Sequence, residues 1–332
     1  DTMDTFVDSS WYYAKYTSPG SKDIFNTEEV DYWMPVDQYI GGIEHAVLHL
    51  LYARFFSMAF YDLGLLKNSE PFTNLLTQGM VIKDGSKMSK SKGNVVDPDI
   101  IIKKYGADTV RLFMLFAAPP QKDLDWSDKG VEGSFRFVNR VWRFVHKHKD
   151  VYNADYNINE SDLSESLKKL RIELHRTVKV VTKDIDERMQ YNTAIARFME
   201  LTNQLYQLTE QDEQHPAFSS VVSEVFVKFL PMLFPFIPHF SEELWEILGN
   251  EGSIGDVLWP DYIESLTERT EIEIVFQVNG KIRSKVMVPA GMSKDEMEKL
   301  AMDDDRVKEN IQDRDIKKVI VVPGKLVNIV AK

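Results

Sequence analysis

The chain has 332 residues, which favours two to three domains and is ample length for substantial cores. Hydrophobic residues make up 43% and charged residues 28%, a globular composition that argues against wholesale disorder. The absence of cysteine excludes disulfides, cysteine-ligated zinc and thiol catalysis. The net charge of −12 excludes a uniformly basic nucleic-acid-coating protein, but residues 189–268 carry most of the acidic excess, and 127–188 and 269–332 are slightly basic.

No part of the sequence has the pattern of a membrane segment. The longest nearly apolar stretches, around Val110–Ala118 and Val225–Pro238, fall short of the roughly 20 residues that a helix needs to cross a bilayer. The first residues lack the basic-then-apolar pattern of a signal peptide. We therefore expect a cytoplasmic protein with no membrane partner.

Residues 1–126 alternate between strand and helix patterns. Apolar segments at Gln38–Ile43 and Leu75–Ile82 lie between turn signals and predict strands. The stretch His45–Leu63 has apolar residues at helical spacing and contains neither glycine nor proline, which predicts a helix. The alternation predicts an α/β region with parallel strands.

Residues 127–268 have a helical period. Runs that repeat apolar residues every three or four positions predict helices at Ser134–Val151, Leu163–Met189 and Thr193–Leu208. The region is therefore predicted to be an all-α antiparallel bundle.

Prolines interrupt the later part of this bundle. A fourth helix begins at Val221, and Pro231, Pro235 and Pro238 predict that it breaks or kinks. Ser241, followed by two glutamates, is predicted to cap the next helix.

Residues 269–332 change to a period of two. Glu271–Val278 and Lys281–Pro289 alternate on either side of Asn279-Gly280, which predicts a two-residue hairpin. A helix at Ser293–Met302 and strands at Lys317–Val322 and Leu326–Val330 complete a small α+β unit of ββαββ order. The whole chain is thus predicted to be multidomain: α/β, then all-α, then α+β.

The segment 85–94 carries the densest chemistry, reading Gly-Ser-Lys-Met-Ser-Lys-Ser-Lys-Gly-Asn. Such a flexible loop could close over phosphate, with Lys87 and Lys90 meeting the charge that develops in a transition state. The spacing of a GxxxxGKS phosphate-binding loop is absent. By composition alone, a solvated surface turn is the commoner outcome for such a segment.

The same segment carries a family resemblance. Lys87–Ser91 reads KMSKS, the second signature of class I aminoacyl-tRNA synthetases, and the later Asp97-Pro98 and Tyr105–Arg111 (YGADTVR) resemble the branch for leucine, isoleucine, valine and methionine. Tyr39–Tyr52 (YIGGIEHAVLHLLY) is similar to leucyl-tRNA synthetases of bacterial type. So are four further segments that extend to both ends of the chain: Asp1–Tyr13, Gln78–Val81, Val278–Lys281 and Val322–Lys325.

The resemblance implies a domain organisation and a reaction. Residues 1–126 would be the carboxy-terminal half of a Rossmann-type catalytic domain, 127–268 a helical anticodon-binding domain and 269–332 a carboxy-terminal tRNA-binding domain. The reaction would form leucyl-adenylate from leucine and ATP, with Mg²⁺, and pass the leucyl group to tRNA(Leu). Lys87 and Lys90 are the implied catalytic residues, because this chemistry depends on positioning and on charge stabilisation at phosphate.

The resemblance also implies an ATP site. The glycine pair lacks Cβ atoms and would let a nucleotide approach the backbone, the adjacent glutamate would accept hydrogen bonds from the ribose, and backbone groups before the loop would meet adenine. An ordinary strand-to-helix turn with an N-terminal carboxylate explains the same glycines and glutamate. The implied ATP-binding residues are Gly41, Gly42, Glu44, Met80, Val81, Lys87, Met88, Ser89, Lys90 and Ser91.

The implied leucine pocket consists of Phe6, Ser9, Tyr39, His45 and His49. The two histidines are four residues apart and are expected to share a helix face. That spacing also suits a metal, but the HExxH pattern and a third ligand cluster are absent, so we expect no metal ligands and no protein-bound zinc. Because apolar pockets discriminate weakly between aliphatic side chains, by about 1–3 kcal/mol per methylene, such enzymes carry a separate editing site.

Two basic sets are candidates for tRNA contact. Arg136, Arg140, Arg143 and Lys147 are spaced to form one stripe on a helix, which either faces the tRNA backbone or pairs with acids on the next helix. In the predicted hairpin, Lys281, Arg283 and Lys285 are expected to point to one side of a strand.

The pattern departs from the family in two places. The first signature, His-Ile-Gly-His, and a long editing insertion are both absent. We therefore expect a carboxy-terminal portion, inactive alone, whose partners are leucine, ATP, tRNA(Leu) and an amino-terminal half carrying the first signature and the editing domain. Portions of an isoleucyl- or valyl-tRNA synthetase, and a non-catalytic tRNA-binding module, are the alternatives.

Overall fold

A computed structural model describes residues 4–268, 271–312 and 314–332, with only the backbone of Lys90 and Glu271. The chain divides into two compact units, Asp1–Tyr262 and Ile263–Lys332. Within the described ranges, no helix has both the length and the apolar character to cross a membrane. The predicted order of α/β, all-α and α+β regions is confirmed, while the predicted domain borders near 126 and 268 stay predictions.

The first region is built around a strand–helix–strand unit. Parallel strands β1 and β2 pair in register, with Tyr39 beside Leu75 and Gly41 beside Thr77, and helix α4 connects them. A second small sheet has β3 at its centre, antiparallel to β4 and parallel to β5. The elements are α1 (Thr5–Ser9), α2 (Tyr12–Tyr16), α3 (Thr27–Trp33), β1 (Val36–Gly42), α4 (His49–Asp62), β2 (Phe72–Gln78), β3 (Val81–Lys83), β4 (Ser86–Lys87), α5 (Pro98–Tyr105), α6 (Ala107–Ala117) and β5 (Leu124–Asp125).

Two predicted boundaries in this region are wrong. Helix α4 begins at His49, because Ile43–His45 forms a 3-10 turn and Leu48 adopts φ −99° and ψ −85°, outside the helical range. The predicted strand Leu75–Ile82 is two strands that belong to different sheets. The chain changes sheet at Gly79, where a Cβ would lie 2.2 Å from the Lys122 carbonyl carbon, so only glycine fits.

The helical bundle has a continuous apolar core. Ser127 and Ser164 cap its first two helices by accepting hydrogen bonds from Gly130 N–H and Leu167 N–H. Phenylalanines fill the centre, Phe198 among them with no exposed surface. The helices are α7 (Asp128–His148), α8 (Glu165–Asp186), α9 (Tyr191–Leu205), α10 (Glu210–Glu213), α11 (Phe218–Leu233) and α12 (Pro238–Ile247).

The predicted break near the prolines is confirmed, because α11 ends at Leu233 and α12 begins at Pro238. Pro231 lies inside α11, and Pro238 is at the start of α12, where a missing N–H costs no hydrogen bond. Ser241 is therefore not the cap of that helix. It is buried one turn inside, and its hydroxyl donates to the Ile237 carbonyl at 2.9 Å.

The second unit is a four-stranded sheet with two helices. The predicted hairpin is confirmed, with Asn279 and Gly280 at φ +51° and +75°, as a two-residue turn requires. The strand order is β7-β6-β9-β8, with β6 and β9 parallel. A second helix, absent from the prediction, makes the order ββααββ after a short leading helix. The elements are α13 (Glu264–Thr267), β6 (Glu271–Val278), β7 (Lys281–Pro289), α14 (Lys294–Asp303), α15 (Asp305–Ile311), β8 (Ile316–Val322) and β9 (Leu326–Ala331).

Candidate active site

A cavity of about 470 Å³ lies at the carboxyl end of β1. Parallel α/β sheets commonly bind ligands beyond this end of their strands. The wall contains all five residues predicted to bind leucine and both predicted glycines, contributed by α1, β1, the 3-10 turn Ile43–His45 and α4. Its lining residues are Thr5, Phe6, Ser9, Tyr12, Tyr39, Ile40, Gly41, Gly42, His45, His49, Leu50, Leu75 and Thr77.

A chain of hydrogen bonds crosses one wall of this cavity. The Tyr39 hydroxyl lies 2.9 Å from the Tyr12 hydroxyl and 2.6 Å from His49 Nε2. The Tyr39 ring stacks on Phe72, with ring centroids 3.8 Å apart. The stacking and the two hydrogen bonds together hold the Tyr39 side chain in one orientation.

The environment keeps these groups uncharged. Burial, followed by the hydrogen bond to Tyr12, raises the pKa of Tyr39. Burial, followed by the neighbouring His45, lowers the pKa of His49. With both groups neutral, one proton is shared in the bond between the Tyr39 hydroxyl and His49 Nε2, and the tautomer of the imidazole decides which atom donates. The other ring nitrogen of His49, Nδ1, is buried without a hydrogen-bond partner among the described residues, so a polar atom of a ligand could pair with it.

The two histidines are neighbours but do not share a helix, contrary to the prediction. His45 ends the 3-10 turn and His49 begins α4, with ring centroids 6.2 Å apart and perpendicular. Over the residues with described side chains, no three His, Asp or Glu groups come close enough to hold a metal ion.

The glycine pair lies at the mouth of the cavity beside an exposed carboxylate. A Cβ at Gly42 would lie 2.2 Å from Oε2 of Glu44, so the glutamate folds back over the glycine. Gly41 has open space around its Cα. Glu44 itself does not line the cavity, and its contact with ribose stays a prediction.

The lysine-bearing loop follows a tight hairpin. Asp84 and Gly85 have φ of +54° and +70°, and β4 then places Lys87, which is exposed, opposite Ile82. The Ser89 and Ser91 hydroxyls lie 3.2 Å apart at the 3-10 turn that ends the signature, with Met88 half-buried between strand and turn.

Lys90 cannot be placed with the other catalytic candidate, because its side chain lies outside the described residues. The loop residues do not line the 470 Å³ cavity. The structure therefore groups the leucine candidates with the glycines, and the joining of loop and cavity around one substrate stays a prediction.

Met80 lies between β2 and β3, and Val81 is the first residue of β3. Met80 N–H donates to Asp123 Oδ1 at 2.8 Å, and its carbonyl accepts from Leu124 N–H at 2.8 Å. Both backbone groups of Met80 are thus engaged, although its carbonyl keeps a second lone pair. Val81 lines a separate cavity of about 720 Å³ that also contacts Arg111.

The four residues of the basic stripe on α7 differ in whether they have intramolecular partners. Arg140 donates to Asn203 Oδ1 at 2.8 Å and stacks 4.7 Å above the Tyr206 ring, and Lys147 pairs with Glu213 at 2.5 Å. Arg136 and Arg143 are exposed. Within the described part of the chain, neither makes a hydrogen bond or an ion pair.

The three hairpin cations do not share one face, so that expectation is wrong. Lys281 pairs with Val278 and Lys285 with Val275, which lie on opposite faces of β6, because a bulge shifts the register between them. Lys285 is also paired with Glu273, at 2.9 Å. Arg283 is half-buried at the bulge, and its Nε is buried without a partner among the described residues.

Sequence reasoning missed two sets of residues. Tyr12 could have been found, because it follows Phe6 and Ser9 at helical spacing. Asp108 and Arg111, inside the YGADTVR segment, join α6 to the bundle: Asp108 accepts from Phe240 N–H at 2.6 Å, and Arg111 donates to the carbonyls of Pro235 and Phe236. These contacts join residues far apart in the sequence, so no local pattern predicts them.

Two family models match parts of the chain. The family described as tRNA synthetases class I (I, L, M and V) matches residues 1–127, and the anticodon-binding domain of tRNA ligase matches residues 168–298. The leucine–tRNA ligases of Geobacter sp. (strain M21) and Geotalea uraniireducens (strain Rf4) are 53% and 52% identical over 99% of the chain. The chain spans about 40% of the length of these curated relatives.

Solved structures show the same relationship. The LeuRS in a ternary complex with tRNA and LeuAMS from Agrobacterium radiobacter K84 superposes with a TM-score of 0.78 and 34% identity, over 100% of this chain and 42% of that one. A Mycobacterium tuberculosis methionyl-tRNA synthetase bound by methionyl-adenylate, 19% identical, shares the fold with a TM-score of 0.57 over 74% of this chain and 50% of that one.

Proposed function

Because the chain belongs to the class I aminoacyl-tRNA synthetases and is homologous to leucine–tRNA ligases, we propose that it supplies part of the site that activates leucine with ATP and transfers it to tRNA(Leu). The observation that carries this proposal is the cavity that collects Phe6, Ser9, Tyr39, His45 and His49 beside the glycine pair. Aliphatic and aromatic walls with a few oriented polar groups suit a small amino acid with an apolar side chain.

In the proposed first step, a carboxylate oxygen of leucine attacks the α-phosphorus of ATP. The bond to the bridging oxygen of the β-phosphate breaks, and pyrophosphate leaves. Lys87 and Lys90 neutralise charge on the phosphates, Gly41 and Gly42 admit the nucleotide, and Glu44 accepts from the ribose hydroxyls. Met80 and Val81 face the adenine, and the Met88–Ser91 backbone shapes the lid. In the second step a terminal ribose hydroxyl of tRNA attacks the leucyl carbonyl, and AMP leaves.

The neutral Tyr39–His49 pair has a separate role in this scheme. Its bond fixes the imidazole, and the unpartnered Nδ1 of His49 offers one hydrogen-bonding atom to a polar group of the bound substrate. Mg²⁺ would enter with ATP, held mainly by the substrate's own phosphates, and would supply positive charge against the transferring phosphates.

We further propose that an additional polypeptide segment, the amino-terminal half with the first signature, completes the catalytic domain. Helix α4 buries Leu50 and Ala53 but leaves Leu51 and Phe55 at 58% and 64% exposure, and Val47, just before the helix, is 75% exposed. A parallel sheet normally has both faces covered and more than two strands, and in the described sheets β1 pairs with β2 alone. The chain alone is therefore proposed to be inactive.

The tRNA contacts are proposed for the basic residues that remain unengaged. Arg136 and Arg143 on α7 would meet backbone phosphates, with Arg140 contributing less because Asn203 and Tyr206 hold it. In the second unit, Lys281 and Arg283 are the proposed contacts. We retain the division into catalytic, anticodon-binding and carboxy-terminal tRNA-binding domains as part of the proposal, and place the enzyme in the cytoplasm, where tRNA charging serves translation.

The test is leucine-dependent exchange between ATP and pyrophosphate. The chain alone should show none, and the enzyme restored with its amino-terminal half should show exchange that isoleucine and valine do not support. K90A in the restored enzyme should lower exchange by about 100-fold or more and leave tRNA affinity nearly unchanged. Robust exchange by the chain alone contradicts the incomplete-site argument, and K90A that weakens tRNA binding without slowing exchange favours a non-catalytic binding module.

A further inference from the structure

Asn94 lies at the end of the lysine-bearing loop and has no role in the scheme above. Its side-chain Oδ1 accepts a hydrogen bond from Ser89 N–H at 2.9 Å. Its Nδ2 lies 3.3 Å from the carbonyl oxygen of Lys83, 3.4 Å from that of Lys87 and 3.2 Å from Ser86 Oγ. One amide group thus reaches both strands of the β3–β4 hairpin and the turn that follows them.

The chemistry of the partners sets the orientation of this amide. Ser89 N–H can only donate, and the carbonyls of Lys83 and Lys87 can only accept, so the amide oxygen faces the first and the amide nitrogen the others. A carboxylate of the same shape would keep the bond to Ser89 but would place an oxygen against two carbonyls. This position therefore needs an acceptor and a donor on one short side chain.

The rest of the turn is held mainly by its own atoms. Ser89 Oγ and the Ser89 carbonyl accept from Lys92 N–H at 3.3 and 3.2 Å. Gly93 follows at φ +66°, a conformation that glycine adopts without strain. These bonds stay within the turn, whereas the Asn94 amide joins the turn to the hairpin.

We propose that Asn94 is a positioning residue for leucine activation. Its amide ties the Lys90–Lys92 turn to the β3–β4 hairpin, so that Lys87 and the turn meet the ATP phosphates as one body. This inference rests on the proposed function. A displacement of about 1 Å in a reacting group can lower the rate by about 100-fold, so a small loosening of the loop is enough to slow the chemical step.

The tie is tested first on the chain itself, by limited trypsin digestion after Lys87, Lys90 and Lys92. N94A removes every amide contact, and N94D keeps only the acceptor. Both should be cleaved in the loop about tenfold faster than wild type, because cleavage follows the population of the opened loop. N310A is the matched control, since it removes an amide that donates to the Arg306 carbonyl on α15, and it should be cleaved like wild type. Equal loop cleavage in all four proteins overturns the tie.

The positioning role is tested in the enzyme restored with its amino-terminal half. N94A and N94D should lower kcat of the exchange reaction by about 10- to 100-fold, while KM for leucine stays within about twofold because the leucine cavity is formed by other residues. Unchanged kcat despite faster cleavage overturns the role, as does an equal loss in kcat and in leucine binding, which marks a general folding defect. If the wild-type restored enzyme shows no exchange, the proposed function fails, and the positioning role fails with it. Trypsin digestion still tests separately whether Asn94 links the turn to the hairpin.

Discussion

The α/β region and the helical bundle differ in how completely they bury their apolar surface. In the bundle, Phe198 and Phe229 are enclosed on every side. In the α/β region, helix α4 carries a stripe of large apolar residues, among them Leu51 and Phe55, that nothing in the described chain covers. The bundle therefore closes its core within the described chain, whereas the region that carries the candidate active site leaves an apolar helix face exposed, which the proposed amino-terminal half would cover.

Buried polar groups differ in what surrounds them. In the bundle, Glu224 accepts from Arg171 Nε at 2.7 Å and lies 3.0 Å from His175 Nε2, so its charge is matched. Buried polar atoms without a partner among the described residues occur in both regions, at Ser134 and Trp245 in the bundle and at His49 in the candidate site. Each such atom destabilises the fold by about 1–3 kcal/mol, and the one on His49 lies in the wall of the cavity, where a ligand can reach it.

The largest effect is expected from F198A in the bundle core. Phe198 packs against Phe229 and Phe236, with ring centroids 5.8 and 5.4 Å apart. Its removal should lower the free energy of unfolding by about 3–5 kcal/mol, measured by urea denaturation with tryptophan fluorescence. F135A, at a partly exposed position of α7, is the control and should have a much smaller effect. Similar losses for both would mean that the bundle core is not closed as described.

E224Q should destabilise the bundle by about 3 kcal/mol, because it leaves Arg171 buried without a full counter-charge. Burial raises the pKa of Glu224, but hydrogen bonds from His175 and Arg171 and the charge of Arg171 outweigh burial, and the pKa is lowered. The unfolded state then takes up the proton first, so this stabilisation is complete above the ordinary pKa of 4.5 and is lost as pH falls toward the lowered value.

Denaturation curves between about pH 3 and about pH 7, a span that brackets the ordinary carboxyl pKa values of about 4, check this sign. Wild type should lose stability below the ordinary carboxyl pKa more steeply than E224Q does. Parallel acid slopes for the two proteins would remove Glu224 from the account of acid stability.

F55A separates the two regions by a different measurement. Phe55 is 64% exposed, so its replacement should change the free energy of unfolding of the chain by no more than about 0.5 kcal/mol. Its loss should weaken association with the amino-terminal half about tenfold, a cost of the size that interface truncations commonly have. L258A, at an exposed apolar position away from α4, is the control. Equal association for both variants and wild type would argue that α4 is not the docking face.

The smallest effects concern the basic stripe. R136A and R143A should each reduce the slope of log Kd for tRNA against log salt by about 1, as the loss of one phosphate contact does. R140A should change this slope less and the stability of the bundle more, since Arg140 bonds Asn203 and stacks on Tyr206. Binding titrations at several salt concentrations compare the three. A uniform response would mean that intramolecular partners do not decide which cation is free.

The sequence by itself determined the features whose physics is local. Hydrophobic period placed the bundle helices and the terminal strands, and Asn279-Gly280 specified the hairpin because few residues adopt two successive positive φ angles. Motif resemblance identified the family and singled out the side chains that share one cavity, such as Phe6 and His49.

Only the tertiary structure decided what depends on partners far along the chain. The break of the predicted strand at Gly79 comes from the approach of Lys122, and the engagement of Met80 comes from Asp123, both about 43 residues away. The bulge that separates the faces of Lys281 and Lys285 likewise follows from the register between β6 and β7. Such contacts leave no periodic pattern in the sequence, because the interactions that stabilise them form between distant segments and not within one segment.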